Sequence, residues 1–498
     1  MSDRQQQEFN ESFMESFSNS KDEVKLTPLE EAANESQQII LQYNQRTFQE
    51  MIKWNKDRPA QSVSVSLIGA GNHFRDNFLQ RQIKPLLENE HLTLEKYLKN
   101  IDITTQNFMK TNAITNSAVL LGLSPYKVTN TPMDTLEIVT QLQIQPVKKF
   151  FMKVGTNVGN GEGDGYVSLQ WKNAFGGGEM FNLDTNLASN EVGKSNRSQY
   201  VLSYSMPFFN SPNYRFDTVL YHSSRLIDYT TYHDQLIKGI TLKLLTTHLP
   251  FERKVNHEIS IENLLRTISI AQPSINYRNN SIVNDYFLLN AGSQFKSSIS
   301  HSMFYDSRDN NILPTSGGHL RQTTELSILP GSQFYKLSLD ASKAFAALNK
   351  DIITTLSFRS GFVRSFGESN SIHPMDKFNL GGPNDVRGFL TSGLGPKQMG
   401  LSLGGDIYYA FGASVFTRIP FTPKDTGFKS HFFINGGKLT DASSGMGKLS
   451  RLSVSCGAGL IYAHPMARFE LNWCLPLVMT RGDQVRKGLQ WGIGVSFM

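Results

Sequence analysis

The sequence predicts an all-β transmembrane barrel of about sixteen antiparallel strands, preceded by one small α+β domain. From residue 148 to 498, short alternating segments and turn residues fill 351 positions (498 − 148 + 1). Gly (39), Phe (33) and Tyr (17) are abundant, and no apolar run reaches the length of a transmembrane helix, which needs about 20 residues. Since a membrane-crossing strand needs about 9–11 residues, sixteen strands fit this length, and fourteen or eighteen also fit.

Residues 1–61 are predicted to form a disordered and helical extension. Gln, Asn, Ser and Glu dominate residues 1–26, a composition that buries too little apolar surface to fold. Leu29 to Trp54 has the apolar spacing of an amphipathic helix. Residues 1–50 hold ten acids and four bases, a net charge of −6. This segment has neither the pattern of a secretory signal nor the Arg-rich composition of a mitochondrial presequence.

The rest of the chain is basic but shows no nucleic-acid footprint. Because the whole chain carries +6, the residues after position 50 carry +12 (6 + 6). Lys and Arg are scattered and do not cluster in one stripe, so we expect no nucleic-acid partner.

Residues 62–147 predict the small α+β domain. The run from Ser62 to Ile68 alternates with period two and ends at a Gly-rich turn, which indicates a strand. Two helical patterns follow, at Asp76 to Leu87 and Leu94 to Met109, and then two strand patterns at Leu120 to Val128 and Leu136 to Ile144. The order is therefore β-α-α-β-β.

Residues 148–498 predict the barrel, which begins with a strand at Lys149 to Val158 and ends with one at Gln490 to Phe497. Alternation is clear from Leu452 to Leu460 and from Ala467 to Leu475, as expected when one face meets lipid and the other a polar lumen. By this parity Cys456 faces lipid and Cys474 faces the lumen, so no disulfide is expected. A spanning sheet must close because lipid cannot hydrogen-bond a free edge.

Two segments carry motifs. The first is a strand-ending hairpin containing Asp306, Arg308, Asp309, Pro314 and Gly317, where the three charged side chains could form an ion-pair knot. The second is a long loop, residues 366–400, with Val386, Arg387, Gly388 and Phe389 after a Gly-Gly turn. Loops of this length in a compact domain are functional or disordered. We expect this one to fold into the lumen.

These motifs resemble the outer-membrane barrel-assembly superfamily, which includes BamA and the core barrel of the mitochondrial sorting and assembly machinery. The resemblance covers residue 62 onward and implies that residues 62–147 are a POTRA domain. It also implies that Arg387 is anchored to an inner-wall carboxylate, usually supplied by an aromatic-x-Asp-x-Gly strand. This chain has Asn435 there, in Phe433 to Gly437, so Asp406 and Glu470 are further candidates. The last strand is similar to the signal that marks mitochondrial barrel precursors.

The resemblance implies that the protein inserts and folds β-barrel precursors in the mitochondrial outer membrane, with the POTRA-like domain toward the intermembrane space. The proposed lateral gate lies between the first and last barrel strands, where glycines either weaken the strands or relieve lumen crowding. Its candidate residues are Phe151, Lys153, Val154, Gly155, Asn157, Gln490, Gly492, Gly494, Val495 and Phe497. Partners implied are β-barrel precursors, membrane lipid and two metaxin-like peripheral subunits; a second copy or another barrel stays open.

Other classes are less well supported by the residues. A passive porin-like channel needs the barrel but neither the small domain nor the Val386–Phe389 motif. A soluble β-rich enzyme needs a catalytic motif, and the sequence has no metal-binding, nucleophile or cofactor signature. The Gly-rich run from Gly159 to Gly165 lacks the Gly-Lys-Ser/Thr and helix start of a phosphate loop, so it predicts a hairpin tip.

Overall fold

The computed structural model describes most of the chain from residue 43 to residue 494. The described residues are 43, 46–47, 50–87, 92–124, 135–159, 162–188, 198–227, 233–248, 254–270, 285–347, 351–366, 372–398, 400–419, 426–442, 451–464 and 467–494. The disorder predicted for residues 1–26 lies outside this part, and residues 50–55 are helical.

The region before the barrel has the predicted α+β composition. Its elements are β1 (Pro59–Ile68), α1 (Asp76–Leu87), β2 (Leu92–Thr93), α2 (Leu94–Lys110), β3 (Ile114–Leu123) and β4 (Leu136–Pro146). The strands form one sheet in the order β2-β1-β4-β3. The third strand begins at Ile114 and not at Leu120, because Asn112 takes a left-handed conformation (φ 53°) and ends the helix directly before it.

The described residues fall into two compact units. One contains the described residues up to position 65 together with 86–102 and 121–140. In it Tyr97 is fully buried, and its hydroxyl lies 2.6 Å from the Thr140 hydroxyl. The other contains 66–85, 103–120 and the chain from residue 141 onward.

Within the described residues, sixteen strands of the second unit form one antiparallel sheet, which confirms the predicted fold class. They are β5 (Phe150–Gly159), β6 (Glu162–Lys172), β7 (Met180–Ala188), β8 (Ser198–Pro207), β9 (Tyr214–Ile227), β10 (His233–Thr246), β11 (Asn256–Ile270), β12 (Gly292–Asp306), β13 (Gly317–Ser327), β14 (Phe334–Ala347), β15 (Ile352–Ser365), β18 (Ile407–Arg418), β19 (Phe428–Thr440), β20 (Ser453–Ala463), β21 (Arg468–Val478) and β22 (Gly488–Gly494). The short pair β16 (Lys397–Gln398) and β17 (Leu401–Ser402) and the helix α3 (Asp285–Leu289) lie in loops of the barrel.

The strands alternate as the sequence predicts. In β21, Arg468, Glu470 and Asn472 are buried while Leu471 and Trp473 are exposed, which is the pattern of a barrel with a filled interior and an apolar outer face. Both cysteines are free, Cys474 being buried and Cys456 only partly covered. Among the described residues, no helix is both long and apolar enough to cross a bilayer.

The turn between β6 and β7 is held by residues next to α1. The Arg75 backbone N–H donates to the Gly176 carbonyl (2.8 Å) and the Arg75 Nε donates to the Phe175 carbonyl (2.7 Å). The same guanidinium forms an ion pair with buried Glu179. This docking fixes a turn only one strand away from β5.

Candidate functional site

A long loop connects β15 to β18 and fills part of the barrel interior. It runs from Phe366 to Asp406, six residues further than predicted, and residues 367–371 and 399 lie outside the described part. We call residues 366–406 the lumen loop. Val386 and Phe389 are fully buried, and they pack with Leu380, Leu394, Ala410 and Leu439 in one apolar cluster. Full burial of a side chain such as Phe389 contributes roughly 1.5–3 kcal/mol.

The local sequence explains how the lumen loop turns. Gly381 and Gly382 have φ values of 110° and 131°, which side chains with a Cβ rarely adopt. The Asp385 carboxylate accepts a hydrogen bond from the Gly381 N–H (2.8 Å), so the turn is closed by its own side chain. Gly388 is also left-handed (φ 84°), and a Cβ there would lie 2.8 Å from the Ser455 Cβ. The chain therefore needs a glycine directly after Arg387.

Arg387 is almost completely buried and pairs with Glu470 on the barrel wall. Its Nε and Nη2 lie 3.0 and 2.9 Å from Glu470 Oε2. The Arg468 Nη2 lies 2.8 Å from Glu470 Oε1, so two guanidinium groups share one carboxylate. The Arg387 guanidinium also lies 5.0 Å from the centre of the Phe433 ring.

Of the three partner candidates, the structure places Glu470 directly against Arg387. Asn435 reaches the lumen loop through Ser455, whose hydroxyl lies 2.6 Å from Asn435 Oδ1 and also contacts the Arg387 carbonyl oxygen. Asp406 lies at the end of the loop, where it pairs with Lys377 at 3.4 Å. The acid that the resemblance expects on β19 is thus replaced by an acid two strands away, on β21.

The lumen loop is also bonded to the last described strand. The Gly388 N–H donates to Gln490 Oε1 at 3.0 Å, and the Gln490 Nε2 donates to the Phe389 carbonyl at 3.4 Å. Further along, the Asn384 Nδ2 donates to the Ile493 carbonyl at 3.1 Å. Gln490 is buried, so a candidate gate residue is in direct contact with the Arg387 motif.

The edges of the sheet are β5 and β22. Ladders join each strand to the next from β5 round to β22, but within the described residues no ladder joins β22 to β5. On β5, Phe151 is 50% exposed and Val154 is 63% exposed, and Lys153 is also exposed. An edge of this kind presents unpaired backbone groups.

The remaining gate candidates differ in their surroundings and in whether the structure describes them. Gly155 pairs with Tyr166, and a Cβ on it would lie 2.6 Å from the Tyr166 ring, which favours relief of crowding as the reason for that glycine. Gly492 and Gly494 lie in β22 opposite Glu470 and Arg468. Asn157 lies in β5, but its side chain, like the whole of Val495 and Phe497, lies outside the described residues.

The hairpin motif differs from the predicted ion-pair knot. Arg308 pairs with Asp306, with Nε–Oδ1 and Nη2–Oδ2 distances of 2.9 and 2.7 Å. Asp309 instead accepts hydrogen bonds from the backbone N–H groups of Thr315 and Ser316 at 2.9 and 3.1 Å. Burial alone would raise the pKa of the Asp309 carboxyl, but these hydrogen bonds and one from the Thr315 hydroxyl lower it.

The hairpin turn enters the barrel end opposite the lumen loop. Gly317 is left-handed (φ 92°) beside the Ser307 carbonyl, and Pro314 follows Leu313, which is buried against Ile353, Phe416 and Ile461. The Arg468 Nη1 donates to the Ile312 carbonyl at 3.3 Å. Arg468 therefore links this turn to Glu470, and through it to Arg387.

Sequence reasoning placed Arg468 on the inner face of its strand but did not single it out as a site residue, and it missed Ser455 and the buried acid Asp376 of the lumen loop. Strand parity also points to Ser455, because this buried residue lies between the partly covered Val454 and Cys456. Among the described residues, no group of three His, Cys, Asp or Glu side chains could hold a metal ion.

Comparisons with known proteins agree with this geometry. The Omp85 superfamily domain matches residues 173–497. A SAM50-like protein of Schizosaccharomyces pombe is 31% identical over 94% of this chain and 97% of its own length. The sorting assembly machinery 50 kDa subunit of Saccharomyces cerevisiae is 30% identical over 89% of this chain and 95% of its own.

Solved structures share the fold. BamA from Haemophilus ducreyi lacking POTRA domains 1–3 superposes with a TM-score of 0.67 at 14% identity, covering 87% of this chain and 84% of that one. CdiB from Acinetobacter baumannii gives a TM-score of 0.51 at 15% identity, covering 87% of this chain and 73% of that one.

Proposed function

The chain belongs to the Omp85 superfamily and, within it, to the family of sorting and assembly machinery 50 kDa subunits, and on that premise we propose that it inserts and folds β-barrel precursors in the mitochondrial outer membrane. In this proposal the region before the barrel faces the intermembrane space. The partners are the precursors, membrane lipid and two metaxin-like peripheral subunits, and a second copy or another barrel could join them.

The observation that carries the proposal is the pair of sheet edges at β5 and β22, which no ladder joins within the described residues. The proposed lateral gate is this seam. The free edge of β5 offers N–H and C=O groups as a template, and the terminal strand of a precursor pairs with it by strand addition. Further hairpins of the precursor then enter behind the first strand.

The energetics favour exchange of one strand partner for another. A backbone hydrogen bond contributes only about 0.5–1.5 kcal/mol net in ordinary folding, while an unsatisfied backbone group in lipid costs several kcal/mol. A precursor strand that replaces an existing partner avoids that cost at every step. The free energy of precursor folding then drives the reaction, and the protein needs no nucleotide and acts as a template without catalysing a chemical step.

The contacts of the lumen loop give it a role at this seam. Gln490 on β22 bonds to Gly388 and Phe389, and Glu470 on the neighbouring strand holds Arg387. Movement of β22 away from β5 would therefore act directly on the Arg387 motif. A passive porin-like channel is not favoured, because the relatives are named for assembly and the loop lies buried in the barrel interior.

Site-specific crosslinking tests the proposal. Val154→Cys places a thiol on the exposed edge strand, and a precursor arrested during import carries a cysteine in its terminal strand. We expect a disulfide between the two. Leu356→Cys, on β15 and also about half exposed (49%), is the matched control and should give little product. Equal crosslinking at both positions, or none at Val154 in a folded barrel, would contradict templating at β5.

A further inference from the structure

The lumen loop carries a second buried charge, Asp376, which is 3% exposed. It ends a short 3₁₀ turn, Pro374–Asp376, in which the Met375 N–H donates to the His373 Nδ1 at 3.3 Å. Burying a carboxylate costs free energy unless the group is paired and hydrogen-bonded. The partners of Asp376 therefore indicate the role of this turn.

Asp376 is held by cations from three different strands. Its Oδ2 lies 2.6 Å from the Arg266 Nη1 on β11, and its Oδ1 lies 3.0 Å from the Lys296 Nζ on β12. The Lys336 Nζ on β14 donates to the Asp376 carbonyl at 2.9 Å. Lys296 also pairs with Glu325 on β13 at 2.5 Å. Three strands therefore contact this one loop residue, and the fourth strand, β13, supports it through Lys296.

These strands lie on the wall opposite the Arg387 site. Counting from β5, β11 and β12 are the seventh and eighth of sixteen strands, while β21 and β22 are the fifteenth and sixteenth. The two sets are eight strands apart, which is half of the sheet. Asp376 and Arg387 are only eleven residues apart in sequence (387 − 376), so the lumen loop spans the barrel interior from one wall to the other.

The two walls that the lumen loop connects differ in how their strands are paired. Among the described residues, β11 and β12 each pair with a strand on both sides, whereas β22 pairs with β21 alone. The wall around Asp376 is therefore the better fixed of the two. Between its ends the segment is also held by the Asp385–Arg359 ion pair and by the packing of Leu380. A displacement of β21 and β22 therefore acts on the Arg387 end of the segment and on these contacts, while Asp376 holds the other end in place.

We propose that Asp376 is a positioning residue: it fixes the lumen loop to the wall opposite the seam, so that the loop acts as a strut that sets the spacing between β5 and β22. The inference rests on the proposed gate at that seam, but it concerns the width of the seam and not the precursor. The carboxylate acts through the loop, and touches no precursor strand itself.

Distances across the seam test the inference without any precursor. Spin labels are placed at Met152→Cys and Ile493→Cys, two exposed positions near the same barrel end (62% and 48%), in a chain lacking Cys456 and Cys474. We expect Asp376→Asn to broaden the distance distribution at least twofold, and Asp376→Glu to restore the original width. Asp217→Asn is the control, because Asp217 is a buried acid that pairs with Arg215 on its own strand.

A second variant covers the case in which Asp376→Asn fails to fold. Asp376→Asn combined with Arg266→Gln removes both charges of the closest pair, and Lys296 keeps Glu325 as its partner. Folding is checked by heat-modifiable migration in detergent gels. A folded Asp376 variant with the original distance width would overturn the inference. Failure of the wild-type chain to insert precursors would instead count against the proposed function, and the two outcomes are measured separately.

Discussion

Arg387 of the lumen loop and Glu470 of β21 form an ion pair of 2.9 Å in which each side chain is only 1% exposed. Arg468 approaches the other oxygen of the same carboxylate and also bonds to the Ile312 carbonyl of the hairpin turn. Two inward-folded segments, one from each end of the barrel, are therefore both connected to a single acid, the lumen loop directly and the hairpin turn through Arg468. A displacement of either segment would therefore affect the contacts of the other through Glu470.

The first prediction concerns Glu470→Gln, which leaves two buried guanidinium groups facing a neutral amide. Removing one partner of a buried pair costs roughly 3–5 kcal/mol. We expect a large loss of stability, measured as the midpoint of urea unfolding in lipid vesicles, and loss of the docked loop, measured as new protease cleavage near Arg387.

Glu258→Gln is the matched control for that variant. Glu258 pairs with Lys243 at 3.0 Å, but both side chains are partly exposed (24% and 32%), and such pairs contribute about 0–1 kcal/mol. If both Gln variants unfolded at the same urea concentration, Glu470 would not be the junction described above.

A covalent bond across the seam is the second prediction. Met152→Cys with Ile493→Cys should form a disulfide between β5 and β22, stop precursor insertion while oxidised, and allow it again after reduction. The control bond is Phe345→Cys with Thr354→Cys, a directly opposed pair inside the β14–β15 ladder. Normal insertion by the oxidised seam variant would rule out lateral opening.

Much of the fold could be predicted because strand parity is local. The period-two pattern of β21 gives its inward set, Arg468, Glu470 and Asn472, without any structure. Parity does not decide which inward acid meets Arg387, because that depends on where a 41-residue loop (366–406) turns inside the barrel. The family pattern points to the position of Asn435, yet Glu470 makes the pair.

At the Asp376 site, too, the sequence predicts which side chains face inward but not which residue they contact. Arg266 and Lys296 each lie next to an exposed apolar residue in sequence, Leu265 and Phe295, so both are predicted to face inward. Their shared partner lies 110 and 80 positions later in the chain. No periodicity links such positions, and only the path of the lumen loop brings them together.

The third prediction is Gly388→Ala. An Ala at φ 84° is strained, and its Cβ would lie 2.8 Å from the Ser455 Cβ. Left-handed backbone costs a residue with a Cβ roughly 1–2 kcal/mol, and the close approach adds displacement of Arg387. Gly400→Ala is the control, since Gly400 has φ 82° but nothing within 4 Å of its Cβ position.

We expect both alanine variants to fold, judged by detergent-gel migration, but only Gly388→Ala to reduce precursor insertion strongly, by about tenfold, the equivalent of roughly 1.4 kcal/mol. Comparable insertion by the two would mean that backbone strain alone matters, and that the contact with Ser455 does not.

The fourth prediction is a pH dependence at His373. Burial, together with the positive charge of Arg266, lowers the pKa of this imidazole to about 4, whereas an unfolded His has a pKa of about 6.5. Below that value the unfolded chain binds more protons than the folded one, so stability falls as the pH drops from about 6.5 toward 4. By linkage, the loss between pH 7 and pH 5 is roughly 1–2 kcal/mol.

His373→Asn keeps a side-chain acceptor for the Met375 N–H but cannot titrate. The urea concentration at the unfolding midpoint should therefore fall more between pH 7 and pH 5 for the wild-type chain than for this variant. Equal decreases in the two proteins would exclude His373 as the cause of the pH dependence.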